Sequence, residues 1–223
     1  PRHNEGMSFH FVLPESHPCL TTPADEGNAR QAVDPRRQLR RDYDRFSRIL
    51  IGALALLILT PFGLVATLGV PLTAGRMTGI DIVMAVIGAV ALGAGLWLLF
   101  MLHRSGRRIL TALSWWNREP YRTGTATRTA GGWVRARSVN FEPPILLRIV
   151  TSSLVGLLGI FGLSAIAFPG SAQNPGFAAG LIAWGVVCVL TAVGQMGGVM
   201  HLVSGIAEQD PLWVRIRDAF RRP

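Results

Sequence analysis

Three stretches of this chain contain no Asp, Glu, Lys or Arg: residues 49–75, residues 82–103, and the 59 residues from Ile149 to Ala207. A water-soluble domain of this size has no use for charge-free runs of that length, whereas about 20 apolar residues suffice to cross a 30 Å hydrocarbon core. Composition points the same way, with 49% hydrophobic and only 16% charged residues. Most of the 25 glycines lie inside the apolar runs. There they would weaken a soluble helix, but at membrane helix contacts small residues are useful.

The runs resolve into four expected transmembrane helices, at residues 49–70, 82–102, 149–168 and 177–203. The fold class expected is therefore an all-α integral membrane protein built as two hairpins. The first span contains Pro61, which removes a helix hydrogen bond and calls for compensation by neighbouring helices. The link between spans one and two, PLTAGRMTGID, holds Arg76 and Asp81, and the link between spans three and four, PGSAQNPG, is uncharged and turn-rich.

Every one of the 22 basic side chains is arginine, and their placement orients the chain. Eight precede the first span, nine lie from Arg104 to Arg148, four follow the fourth span, and only Arg76 falls in a hairpin link. The positive-inside rule then places both termini and the central segment in the cytoplasm of a multi-pass protein of the cell (plasma or inner) membrane. The net charge of +9 reads as an orientation signal and an attraction to anionic lipids rather than to nucleic acid. The first 48 residues lack the apolar core of a signal peptide, so insertion is expected from the spans themselves.

The hairpins resemble each other. Arg48, an apolar run, Phe62-Gly63-Leu64 and Pro71 are echoed by Arg148, an apolar run, Phe161-Gly162-Leu163 and Pro169. His103-Arg104-Ser105-Gly106 and His201-Leu202-Val203-Ser204-Gly205 close the two at nearly the same offset, as a parallel 2+2 repeat requires. The expected organisation is a flexible cytoplasmic tail (1–33), an amphipathic helix with the first hairpin (34–103), a basic connector (104–148), the second hairpin (149–203) and a C-terminal amphipathic helix (204–223).

Three amphipathic stretches flank the spans. After Asp34-Pro35, a cap and first-turn pair, Leu39, Tyr43, Phe46 and Leu50 share a face in a helix expected to run into span one. Ile109, Leu113 and Trp116 form a stripe opposite Arg107 and Arg108, and Leu212, Trp213, Ile216 and Phe220 do so against Arg215 and Arg222. Such helices lie at the headgroup layer or dock a partner. Residues 123–139 are Thr-, Gly- and Arg-rich and are expected to form an irregular loop, and Thr22-Pro23 offers a start for a short helix.

Little in the chain carries chemistry. There is no phosphate-binding Gly-Lys-Ser/Thr loop, no His-Glu-x-x-His and no Gly-x-Ser-x-Gly, and no ionisable group at depth for a proton pathway. His10, His17 and Cys19 have no zinc spacing, and Cys19 and Cys188 are too differently placed to pair. His103 and His201 are the one cofactor-binding candidate: if the repeat holds, they lie at the same depth and could ligate a haem iron, although the chain as a whole calls for no cofactor. Gln195 is the only amide within the spans and reads as a helix-contact residue. The richer signal is small residues at four-residue spacing: Ala85, Ala89 and Gly93; Ser152 and Gly156; Gly194 and Gly198.

These features lead to the expectation of a non-catalytic accessory or scaffold subunit of a larger membrane complex, respiratory or photosynthetic, whose partners are other membrane subunits and anionic lipids. Its contacts are expected at Arg107, Arg108, Trp115, Trp116, Trp213, Gly194 and Gly198. A small transporter or channel and a haem-binding membrane anchor are the alternatives.

Overall fold

The computed structural model describes residues 11–21, 33–69, 78–124, 126–127, 129–168, 174–207 and 209–221. His3, His10, Arg76, the Thr22-Pro23 helix start and most of both hairpin links lie outside the described residues. Among those described the fold is all-helical, with no strand, and four helical stretches are long and apolar enough to cross a membrane.

In chain order the helices are α1 (His17–Thr21), α2 (Val33–Tyr43), α3 (Phe46–Leu54), α4 (Thr60–Leu64), α5 (Gly79–Arg122), α6 (Ala130–Ser138), α7 (Pro143–Leu163), α8 (Pro175–Ala207) and α9 (Pro211–Arg221). The first span combines α3 and α4 with two π-helical turns, Ala55–Leu59 and Val65–Gly69. At 44 and 33 residues, α5 and α8 are longer than the sequence-derived spans. At ~1.5 Å per residue both exceed the thickness of a bilayer core.

The chain forms two compact units. The first comprises Pro1–Arg45, Arg104–Leu146 and Gly198–Pro223, and the second Phe46–His103 and Leu147–Gly197. All arginines except Arg48, Arg76 and Arg148 fall in the first, which we call the polar unit, and Asp81 is the one carboxylate of the second, apolar unit.

The polar unit has its own core, built from the amphipathic stripes. Leu39, Tyr43, Ile109, Leu113, Trp116, Leu202 and Ile206 are all buried, so the apolar faces of α2 and α5 are covered within the polar unit. The α2 stripe does not continue into the first span. Asp44 and Arg45 interrupt the helix, and Phe46 and Leu50 beyond them are 67% and 59% exposed, as expected of lipid-facing side chains.

Two sequence expectations fail in this unit. Residues 11–21, expected to be a flexible tail, dock: Val12 and Ser16 are buried, the Leu13 N–H donates to the fully buried Asp42 carboxylate at 2.9 Å, and the Trp116 indole N–H donates to the Cys19 carbonyl at 3.1 Å. Residues 123–139, expected as irregular loop, contain α6. Its low intrinsic helix preference is offset by tertiary contacts. Arg137 stacks on Trp133 at 4.2 Å and donates to Asp210 at 2.8 Å. Gly132 lies so close to Gln209 that a Cβ would meet its side chain at 3.1 Å and its carbonyl closer still.

In the apolar unit, glycines set the helix crossings. A Cβ on Gly63 would stand 2.6 Å from Leu92 and 2.7 Å from the Gly88 carbonyl, which brings the first and second spans into backbone contact. A Cβ on Gly162 would stand 2.8 Å from Leu181 and Gly185, and one on Gly159 2.7 Å from Val189, so the third and fourth spans cross as closely. Approaches this close need a glycine on at least one side, because a Cβ would meet the backbone of the facing helix.

Candidate functional site

In the polar unit, α2, α5 and α8 line an open cleft of ≈ 110 Å³. Arg36, Arg37 and Arg40 line it from α2. Leu113 and Asn117 come from α5, Leu202 and Ile206 from α8, and Gln209 from the turn that follows α8. Gly205 of α8 packs against Ser114 of α5 beside it, and a Cβ there would make only ordinary contact at 3.4 Å. The surface lining the cleft is predominantly apolar.

Neighbouring carboxylates hold one of the lining arginines. Arg40 is bound by Glu142, in a hydrogen-bonded pair, and reaches Asp44 at 3.5 Å. Asp210 closes the unit from another side as the cap of α9: its carboxylate accepts the Leu212 N–H at 2.8 Å, and Pro211 occupies the first helical position. Burial alone would raise the Asp210 carboxyl. The Leu212 and Trp213 N–H donors and the Arg137 guanidinium outweigh it and hold the group below its ordinary range.

The first span carries a second distinctive arrangement. In its first π-turn the Thr60 N–H reaches back five residues to the Ala55 carbonyl, and the Thr60 hydroxyl donates to the same oxygen at 2.6 Å. The next donor in that register would be residue 61 to the Leu56 carbonyl, but Pro61 has no N–H. The Trp184 indole of α8 fills the gap, donating to the Leu56 oxygen at 2.9 Å. A proline legible in the sequence is thereby matched to a tryptophan on another span.

The residues singled out from sequence are scattered. His103 is exposed in the apolar unit, its ring 3.1 Å from where a Gly194 Cβ would be, while His201 is exposed and belongs to the polar unit. No cluster of three or more His, Cys, Asp or Glu side chains with metal-holding geometry occurs among the described residues. Gly198 faces the Tyr43 hydroxyl and Leu110, so Gly194 and Gly198 both seat side chains of this chain. Arg107 and Arg108 are exposed, Trp115 packs edge-on against the buried Trp116 with centroids 4.6 Å apart, and Trp213 is exposed on α9. The cleft arginines, Asn117 and Gln209 were not singled out. Their only sequence signal is the arginine spacing on α2, which a solvated face produces equally well.

Comparisons with protein-family models, with curated proteins and with solved structures give no match. The functional reading therefore rests on this chain's own geometry.

Proposed function

We propose that the chain is a non-catalytic accessory or scaffold subunit of a larger complex in the cell membrane, with both termini cytoplasmic and its second span presented to a partner. The observation that carries this reading is how the small-residue faces are used. Gly156 on the third span contacts Ala192 on the fourth, Ser152 is buried, and Gly194 and Gly198 hold His103 and Tyr43. The second span is different. Ala89 is exposed, a Cβ on Gly93 would meet nothing within 4 Å, and only 11% of the span's most apolar window is covered by the rest of the chain, against 33% for the first and 22% for the third and fourth. A small-residue face of this kind favours close approach of another helix.

Two further features support the reading. On α9, Leu212, Trp213, Ile216 and Phe220 all remain exposed, the last at 88%, so this amphipathic face is open while those of α2 and α5 are used internally. The glycines of the two Phe-Gly-Leu motifs, Gly63 and Gly162, each stand at a close crossing with the following span, which favours the paired-hairpin repeat. The arginine distribution favours the cytoplasmic placement of both termini. A respiratory or photosynthetic complex is the host class proposed.

Purification of the native protein in mild detergent tests the proposal. Other membrane proteins are expected to co-purify, and Gly93→Leu is expected to release them while leaving the chain folded. Recovery solely as a monomer or homo-oligomer overturns it.

A further inference from the structure

We infer that α9 is an interfacial helix that lies on an anionic lipid surface, with its stripe of Leu212, Trp213, Ile216 and Phe220 set among the acyl chains. All four are exposed, between 46% and 88%. At 3.6 residues per turn their positions fall within about 100° of arc. Positions 215 and 217 flank that arc, and Asp218, the one carboxylate from residue 211 onward, stands opposite it. The same stretch holds four arginines, at 215, 217, 221 and 222, and so carries a positive excess. A helix with bulky Leu, Trp, Ile and Phe on one face and arginines beside them is the form that inserts at the boundary between headgroups and acyl chains. A neutral bilayer matches only the apolar half of this pattern, whereas an anionic one matches both halves.

Two further observations favour lipid as the occupant. Three residues separate the last of α8, Ala207, from the first of α9, Pro211, so the chain sets α9 close to the end of its fourth span. The stripe also holds no small residue, whereas the close helix crossings of the apolar unit are made at glycines such as Gly63 and Gly162. The root of α9 is fixed. Asp210 caps it and accepts from Arg137 at 2.8 Å, and Val214 is buried on the side away from the stripe, so the apolar face is presented outward. The inference rests on the membrane reading of the spans but not on a partner subunit: it gives the open face of α9 to lipid and leaves the small-residue face of the second span to protein.

The whole chain, reconstituted at one copy per nanodisc, tests this with a nitroxide attached at Ile216→Cys. Cys19→Ser removes the accessible native thiol, and Cys188 is buried. Collisions with oxygen, which dissolves in lipid, and with a water-soluble nickel chelate report where the label sits. In phosphatidylcholine containing phosphatidylglycerol, oxygen collisions are expected to dominate, and in phosphatidylcholine alone the chelate is expected to gain access. Arg215→Gln and Arg217→Gln keep a good helix former, with hydrogen exchange checking that α9 is retained. Each is expected to lower the inserted-to-free ratio about fivefold, as loss of one arginine at an anionic surface does. A label open to the chelate in both lipids overturns the inference, as does equal insertion in both, which assigns an apolar contact without charge recognition. Shielding from both reagents that arises only when co-purifying membrane proteins are added back assigns the face to a protein and overturns it too. None of these outcomes alters whether other subunits co-purify, so this inference and the subunit reading fail separately.

Discussion

Replacing Trp184 by Phe removes a single N–H from the apolar unit and leaves a ring behind. The loss is specific, because the Leu56 carbonyl has no helical donor in its register: Pro61 occupies the position that would supply one. Leu56 is buried, so no water replaces the indole. An interhelical hydrogen bond in a membrane contributes about 0.6 kcal/mol on average and up to about 1.7, while a buried acceptor left unsatisfied costs about 1–3 kcal/mol. Trp184→Phe should therefore destabilise by about 1–2 kcal/mol. The loss of ring area contributes to this as well, and a double-mutant cycle separates the two. Pro61→Ala restores a backbone N–H that can reach the Leu56 carbonyl, so in that background Trp184→Phe should cost about 1 kcal/mol less. Reversible SDS unfolding in mixed micelles, followed for the four proteins, measures the coupling. If Trp184→Phe costs the same in the wild-type and the Pro61→Ala backgrounds, the indole is not compensating for the proline and the explanation of the π-turn is wrong.

The other predictions concern helix crossings and the polar unit. Gly63→Ala and Gly162→Ala each drive a Cβ to within 2.8 Å of another helix and should cost about 1–3 kcal/mol, whereas Gly79→Ala, with nothing within 4 Å, should leave the unfolding midpoint almost unchanged. Asp210 is held below the ordinary carboxylate pKa of about 3.9, so its support of α9 is fully present above that value and is lost as pH falls through its lower, folded-state value. Hydrogen exchange in α9 should accelerate in acid below about pH 4 in wild type, and Asp210→Ala, which removes the capping acceptor, should show fast exchange already at neutral pH, with the acid step absent.

The apolar spans could be read from sequence because membrane insertion selects on absence of charge, which is a local property: residues 49–75, 82–103 and 149–207 display it without reference to any other part of the chain. The stripes at Leu39/Tyr43 and Ile109/Leu113/Trp116 were legible as well, but periodicity does not say what covers a face, and here those two are covered within the polar unit while that of α9 stays open. Helix α6 was missed because its Gly- and Arg-rich composition opposes helix formation locally; Arg137–Asp210 and Gly132–Gln209 stabilise it across some 75 residues of sequence. The cleft was hidden for the same reason. Its walls come from residues 36–40, 113–117 and 202–209, and convergence over such separations leaves no mark in any one segment. Pro61 announced a missing donor, but nothing near it in the sequence named Trp184 as the replacement.

The subunit reading makes its sharpest claim at Ala89. A photo-crosslinking side chain placed there in the native membrane should, on illumination, yield an adduct with a different membrane protein, while the same probe at Leu157, an exposed position on the third span, should yield none. Adducts at Ala89 only with lipid, or only with another copy of this chain, would contradict the account.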